Sequence, residues 1–213
     1  MVALGAWLLL GLGGALGCAP AADSPTDPSV EAALAKKHVA PAPQGGDVFA
    51  SGPKGSHLPG VHPYASWVST ELARGSQPSD ADFAELAQLG FRSVVNLRDE
   101  DDSERPTVTS LGMKYMYLPI VDDDVPTVAQ AKSFLRFVTT ASHLPVFVHC
   151  RAGRNRTGVA VAIYEMAVRG MTSDAAITEG EGFGLHVAVE EQFVRDFGDL
   201  LAAHSVPGFP LVH

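Results

Sequence analysis

The stretch that most restricts what this chain can fold into is Val146-Phe147-Val148-His149 followed by Cys150-Arg151-Ala152-Gly153-Arg154-Asn155-Arg156-Thr157-Gly158. A short apolar run bounded by turn residues reads as a buried strand, and the Val-Ala-Ile sequence after Gly158 reads as a helix. Between them lies a tight loop with one thiol, one glycine and three arginines. A strand that ends on such a loop and leaves as a helix asks for an α/β architecture, with the loop at the carboxyl end of the strand.

The rest of the chain supplies matching elements. Strands are expected at residues 67–69, 72–76, 91–97 and 113–120. Ser79 can cap a helix through Phe83, Leu86 and Ala87 that stops at Gly90, and Thr127 can cap another whose stripe is Val128, Ala131, Phe134, Leu135 and Val138. Further helices are expected at residues 157–169, from Thr172 or Ser173 onward, and at 187–203, with a glycine-rich turn at 180–184. Alternating strands and helices predict one domain with a central, mostly parallel sheet flanked by helices on both faces. The acidic run from Asp99 to Glu104 reads as solvated surface.

Residues 1–17 carry no charged side chain and read as an export signal. They end in Ala15-Leu16-Gly17-Cys18, which resembles the lipobox of bacterial lipoproteins, so Cys18 is the expected lipidation site. Ordinary cleavage after Ala19-Pro20-Ala21 is the alternative. Residues 18–63 hold eight of the fifteen prolines and read as a flexible tether, and residues 64–213 as the folded domain. The expected location is the periplasm or cell envelope. A net charge of -9 argues against nucleic acid as a partner and makes the arginines around Cys150 stand out. With Cys18 as the second of two cysteines, Cys150 is expected to be a free thiol.

His149-Cys150 followed by Arg156-Thr157 gives Cys-x5-Arg-Thr preceded by histidine. This pattern resembles the signature of the protein tyrosine phosphatase superfamily, in particular its dual-specificity branch. Ala73-Arg74-Gly75-Ser76-Gln77-Pro78, Val94-Val95-Asn96-Leu97-Arg98 and Gly182-Phe183-Gly184 are similar to small exported bacterial members. The resemblance implies a cysteine-phosphatase fold and hydrolysis of phosphotyrosine, or phosphoserine and phosphothreonine, through a phosphocysteine. It implies that Thr157 donates to the sulfur and that His149 supports the loop from beneath.

The chemistry of the loop agrees. Backbone N–H groups at a helix N-terminus cradle an anion, and here they would come from Arg151, Ala152, Gly153, Arg154, Asn155 and Arg156. The same field makes a thiol reactive by favouring its thiolate. Arg156 can hold two phosphoryl oxygens with its planar guanidinium. The leaving group needs a proton, and Asp122, Asp123 and Asp124 before Pro126 offer carboxylates; the resemblance, which places the general acid on such a loop a few residues before a proline, implies Asp122, with Asp123 the alternative. No metal or cofactor is required, since arginine and backbone dipoles neutralise the phosphoryl oxygens. His57 and His62 lack zinc-site spacing, and His186 reads as a surface or packing residue, although it can approach the site.

Other readings stay open. Arg151 and Arg154 would suit a phosphoinositide or inositol phosphate. A rhodanese-like sulfurtransferase uses a similar cysteine loop, which the Arg156-Thr157 ending disfavours, and a phosphate-binding pseudophosphatase would bind without turnover.

Overall fold

The computed structural model describes residues 54–61 and 64–203. The proposed signal, the Cys18 site and residues 18–53 of the expected tether lie outside the described residues, as does His62. Five strands form one sheet in the order β1-β2-β5-β3-β4. They are β1 (Ser66–Trp67), β2 (Leu72–Gly75), β3 (Ser93–Arg98), β4 (Lys114–Ile120) and β5 (Val146–His149). Strand β1 pairs antiparallel with β2, and every other neighbouring pair is parallel. The Cys150 strand is therefore central, between β2 and β3.

The helices are α1 (Asp80–Gln88), α2 (Arg105–Ser110), α3 (Val128–Val138), α4 (Asn155–Arg169), α5 (Ser173–Gly182) and α6 (Ala188–Ala202). Their starts follow local chemistry. Ser79 and Asp82 form a reciprocal capping box on α1, Thr127 and Gln130 do the same on α3, and Thr172 caps α5. Helix α2 has no counterpart among the expected elements. It is a six-residue turn with a proline at its start and Val108 as its buried residue, too short to show a period.

The alternation along β5 divides the core. Phe147 joins Ala73 and Val94 in a cluster with Phe83 and Leu86 of α1 and Val108 of α2. Val146 and Val148, equally buried, face the other way. There α4 runs against β2 and β5, with α3, α5 and α6 around it. Twelve of its fifteen residues are buried, so it is a central helix, apolar on nearly all sides.

Folded structure begins earlier than expected. Residues 54–61 read as tether by composition, yet Leu58 is fully buried within the α1-side cluster. His57 bridges Ser66 antiparallel, extending the β1 edge. Lys54 Nζ reaches Glu165 of α4 at 2.9 Å and Glu179 of α5 at 2.5 Å. The physical reason is local: Leu58 and Val61 cover apolar surface beside Trp67 and Phe91 that the domain would otherwise expose. Leu58→Ala should lower unfolding free energy by about 2–5 kcal/mol in denaturant titration; a change near zero would return this segment to the tether.

Candidate active site

Cys150 follows the last residue of β5 and is 3% exposed, at the base of an open cleft of about 190 Å³. Helix α4 starts five residues later, so its first N–H groups, which lack intrahelical acceptors, meet the loop. Arg151, Ala152, Arg154, Asn155 and Arg156 line the cleft with the thiol. The curl is made by Gly153, whose φ is +70°; a Cβ there would lie 2.5 Å from the Gly75 carbonyl. Two hydrogen bonds tie the loop to the end of β2. Arg74 Nη2 donates to the Gly153 carbonyl at 2.8 Å, and Gln77 N–H donates to the Arg151 carbonyl at 3.2 Å. Arg74 is buried, which pulls its guanidinium down to about 10, so it stays charged at neutral pH.

The loop after β4 contributes to the same cleft. Asp122 and Asp123 both line the cleft, and Asp122 Oδ1 sits 3.1 Å from Arg156 Nη2. Asp123 adopts a left-handed φ of 59° that aspartate tolerates. Asp124 instead braces its own loop, where its Oδ1 accepts the Val125 N–H at 2.7 Å. His186, expected to be an ordinary surface residue, lines the cleft as well, with Nδ1 2.7 Å from the Gly184 carbonyl.

Two expectations need correction. The Asp99 to Glu104 run is part of the site and not simply solvated surface. Arg156, 2% exposed, donates from Nη1 to Asp99 at 3.1 Å, to Glu100 at 2.8 Å and to the Ile120 carbonyl at 3.1 Å. That donation holds Glu100 well below the usual carboxylate range. Glu104, 7% exposed, accepts from fully buried His149 at 2.8 Å and from Gln77 Nε2 at 2.6 Å. Buried cationic and imidazole groups need acceptors, and this run supplies them. His149 Nδ1 lies 3.4 Å from the Cys150 carbonyl, so the ring links the start of the loop to Glu104. Thr157 differs: its hydroxyl is buried without a hydrogen-bond partner, so it does not donate to Cys150 here.

Among the described residues, no group of three or more His, Cys, Asp or Glu is placed to hold a metal ion. The turn after α5 is pinned by Leu185, 1% exposed, which fits against Gly158 and Gly180; a Cβ on either glycine would come within 3.2 Å or 2.8 Å of its side chain.

With this geometry in view, the family model described as DSP-PTPase phosphatase fused to NAD+ kinase matches residues 65–196. The chain belongs to the DSP-PTPase phosphatase family. A similar relative, the dual specificity protein phosphatase TpbA of Pseudomonas aeruginosa, is 31% identical over 147 residues, 68% of this chain and 64% of TpbA. The chain thus spans just under two thirds of the length of that relative. A beta-lactamase hydrolase-like protein of Xylella fastidiosa is 29% identical over 132 residues, 57% of this chain and 30% of that protein. The crystal structure of P. aeruginosa TpbA superposes with a TM-score of 0.57 at 29% identity, covering 66% of this chain and 90% of that one. Tk-PTP in its active form gives 0.59 at 22% identity over 64% of this chain and 97% of that chain, a likeness of fold. The α/β cysteine-phosphatase fold expected from the sequence is the one observed.

One residue electrostatically linked to the cleft escaped the sequence reading. Glu190, in the first turn of α6, is fully buried, and neither carboxyl oxygen has a hydrogen-bond partner among the described residues. Burial pushes its pKa up to about 8, the charges of Asp123 and Asp122 add to this, and Arg156 opposes it. The folded protein therefore keeps a proton that the unfolded chain loses near pH ~4.3. Stability should fall as pH rises from that value through about 8. Glu190→Gln, neutral at every pH, should raise stability at pH 7.5 by about 4 kcal/mol, with the gain vanishing near pH 4 in thermal melts; a pH-independent difference would contradict the buried neutral acid.

Proposed function

We propose that this chain is a cysteine-dependent phosphatase that hydrolyses phosphomonoesters, phosphotyrosine foremost, through a phosphocysteine intermediate. The observation that carries the reading is the single cleft in which Cys150, Arg156 and the carboxylates of Asp122 and Asp123 meet. Phosphotyrosine is favoured because TpbA has been crystallised in complex with it, and that structure superposes with a TM-score of 0.51 at 27% identity.

The chemistry follows from the contacts. An arriving phosphoryl group takes the place of the Asp122 carboxylate on Arg156 Nη2, now 3.1 Å away. Asp122 is 62% exposed, so releasing it from that pair costs little. The Cys150 thiolate attacks phosphorus, a P–S bond forms as the ester P–O bond breaks, and the leaving oxygen takes a proton from Asp122. Water then attacks the phosphocysteine and gives its proton to Asp122. The P–S bond breaks, releasing inorganic phosphate and the thiolate. Helix N–H groups and Arg156 stabilise the equatorial oxygens in both steps. The other residues work through these: His149 and Arg74 hold the loop, and Arg151 and Arg154, exposed at the rim, meet the substrate.

Export belongs to the same proposal. Its support is the uncharged apolar stretch of residues 1–17 and the lipobox-like Ala15-Leu16-Gly17-Cys18, which would place the enzyme in the cell envelope on a lipid anchor.

Cys150→Ser should abolish metal-independent hydrolysis of an aryl phosphate, and surviving turnover would defeat the mechanism. Asp122→Ala should slow alkyl phosphate hydrolysis by about 10²–10⁴-fold and aryl phosphates with good leaving groups far less. A larger loss in Asp123→Ala would transfer the acid role to Asp123. Separately, Cys18→Ser should abolish incorporation of labelled fatty acid into the full chain in cells; unchanged labelling would remove the anchor from the proposal.

A further inference from the structure

A second cleft opens beside the first. It is the larger, about 410 Å³ against about 190 Å³, and the two share Ala152 and Arg154 as a common rim. Tyr64 and Phe183 line it, with Arg74, Gly182 and Glu181 between them. Tyr64 is 63% exposed and Phe183 38%. Among the described residues, the exposed large aromatics are these two, and both stand at this one place. Keeping two rings in water forgoes about 25 cal/mol for each Å² of apolar surface left unburied. Aromatic walls at a concave site are what binding surfaces use as anchors.

Phe183 is held in position. Its ring lies over the Arg74 guanidinium, 4.5 Å from carbon Cζ to the centroid. Arg74 is 2% exposed, and its Nη1 has no hydrogen-bond partner. Its Nη2 is the donor that fixes the Gly153 carbonyl. The wall of the second cleft and the cysteine loop are thus braced by the same buried cation, so their spacing is preset before any substrate arrives. An acyl chain would need an apolar channel, whereas Arg74, Arg154 and Glu181 make this lining partly charged and suited to a peptide backbone. Glu181 also disfavours an acidic neighbour.

Resting on the phosphatase reading above, we infer that this cleft is a specificity subsite, which takes an apolar, preferentially aromatic, side chain next to the phosphorylated residue of a peptide between Tyr64 and Phe183. The smaller cleft then handles the phosphoryl group, and the larger one selects which phosphorylated segment is presented.

The test uses the full chain and phosphotyrosine peptides that differ only in having Phe or Ala beside the phosphotyrosine. The wild type should show a higher kcat/KM for the Phe peptide. Tyr64→Ala and Phe183→Leu should each reduce the Phe-to-Ala ratio by about fivefold to tenfold. A merely structural role would lower both peptides alike and leave the ratio in place, which would overturn the subsite while the phosphatase stands. Variants that lose turnover of phosphoinositide vesicles with the peptide ratio unmoved would overturn the peptide assignment in favour of a lipid. No turnover of any phosphoester by the wild type would overturn both readings.

Discussion

The site depends on how closely the cysteine loop passes the end of β2. A Cβ on Gly153 would stand 2.5 Å from the Gly75 carbonyl, and one on Gly75 would stand 2.5 Å from the Phe147 ring. Two bare backbone positions therefore let three successive layers touch: the loop, the end of β2 and the side chain below. Arg74 and Gln77 then fasten the contact from either side of Gly75. The strand order completes the arrangement, because β5 lies between β2 and β3 and both neighbours send residues past their carboxyl ends to the loop. From β2 come the loop's hydrogen-bond donors; from β3 come Asp99 and Glu100 on Arg156. A crevice at the carboxyl ends of parallel strands is where an open α/β sheet offers such convergence.

Charge sets the second condition. Arg156 is almost wholly buried, yet Asp99, Glu100 and Asp122 are 34%, 35% and 62% exposed. A buried cation is thereby neutralised by carboxylates that water can still reach, and partners of that kind exchange at small cost. The resting site is in this sense filled with its own anions, and the most exposed of them, Asp122, is the one to which the proposed mechanism gives the proton transfers. His149 is treated differently, with Glu104 nearly as buried as itself and further tied to Gln77. The exchangeable contact is at the mouth and the permanent one below it.

Much of this was legible in the sequence because the informative residues are close in the chain. Cys150, Gly153 and Arg156 lie within one loop and the first turn of the helix after it, and the caps at Ser79 and Thr127 act over three residues. What escaped detection was pairing across long separations. Glu104 meets His149 across 45 positions and Glu100 meets Arg156 across 56, so an acidic run that is solvated by composition becomes structural only once β3 lies beside β5. Glu190 was hidden for another reason. Buried Val194, Phe197 and Leu201 form the inward stripe of α6, and that stripe extended back one turn lands on Glu190, where a carboxylate is read as solvent-facing by default. Leu58 was missed because prolines and glycines on either side made an anchored segment look like linker.

Leu185 ties the two clefts together. Its side chain is seated between a glycine of α4 and a glycine of α5, and it stands between Phe183, on the wall of one cleft, and His186, on the wall of the other. One leucine therefore seats a turn that furnishes a wall to both clefts. A substitution that reseats this turn would reach both walls at once, whereas Tyr64 lines the larger cleft from a separate segment ahead of β1.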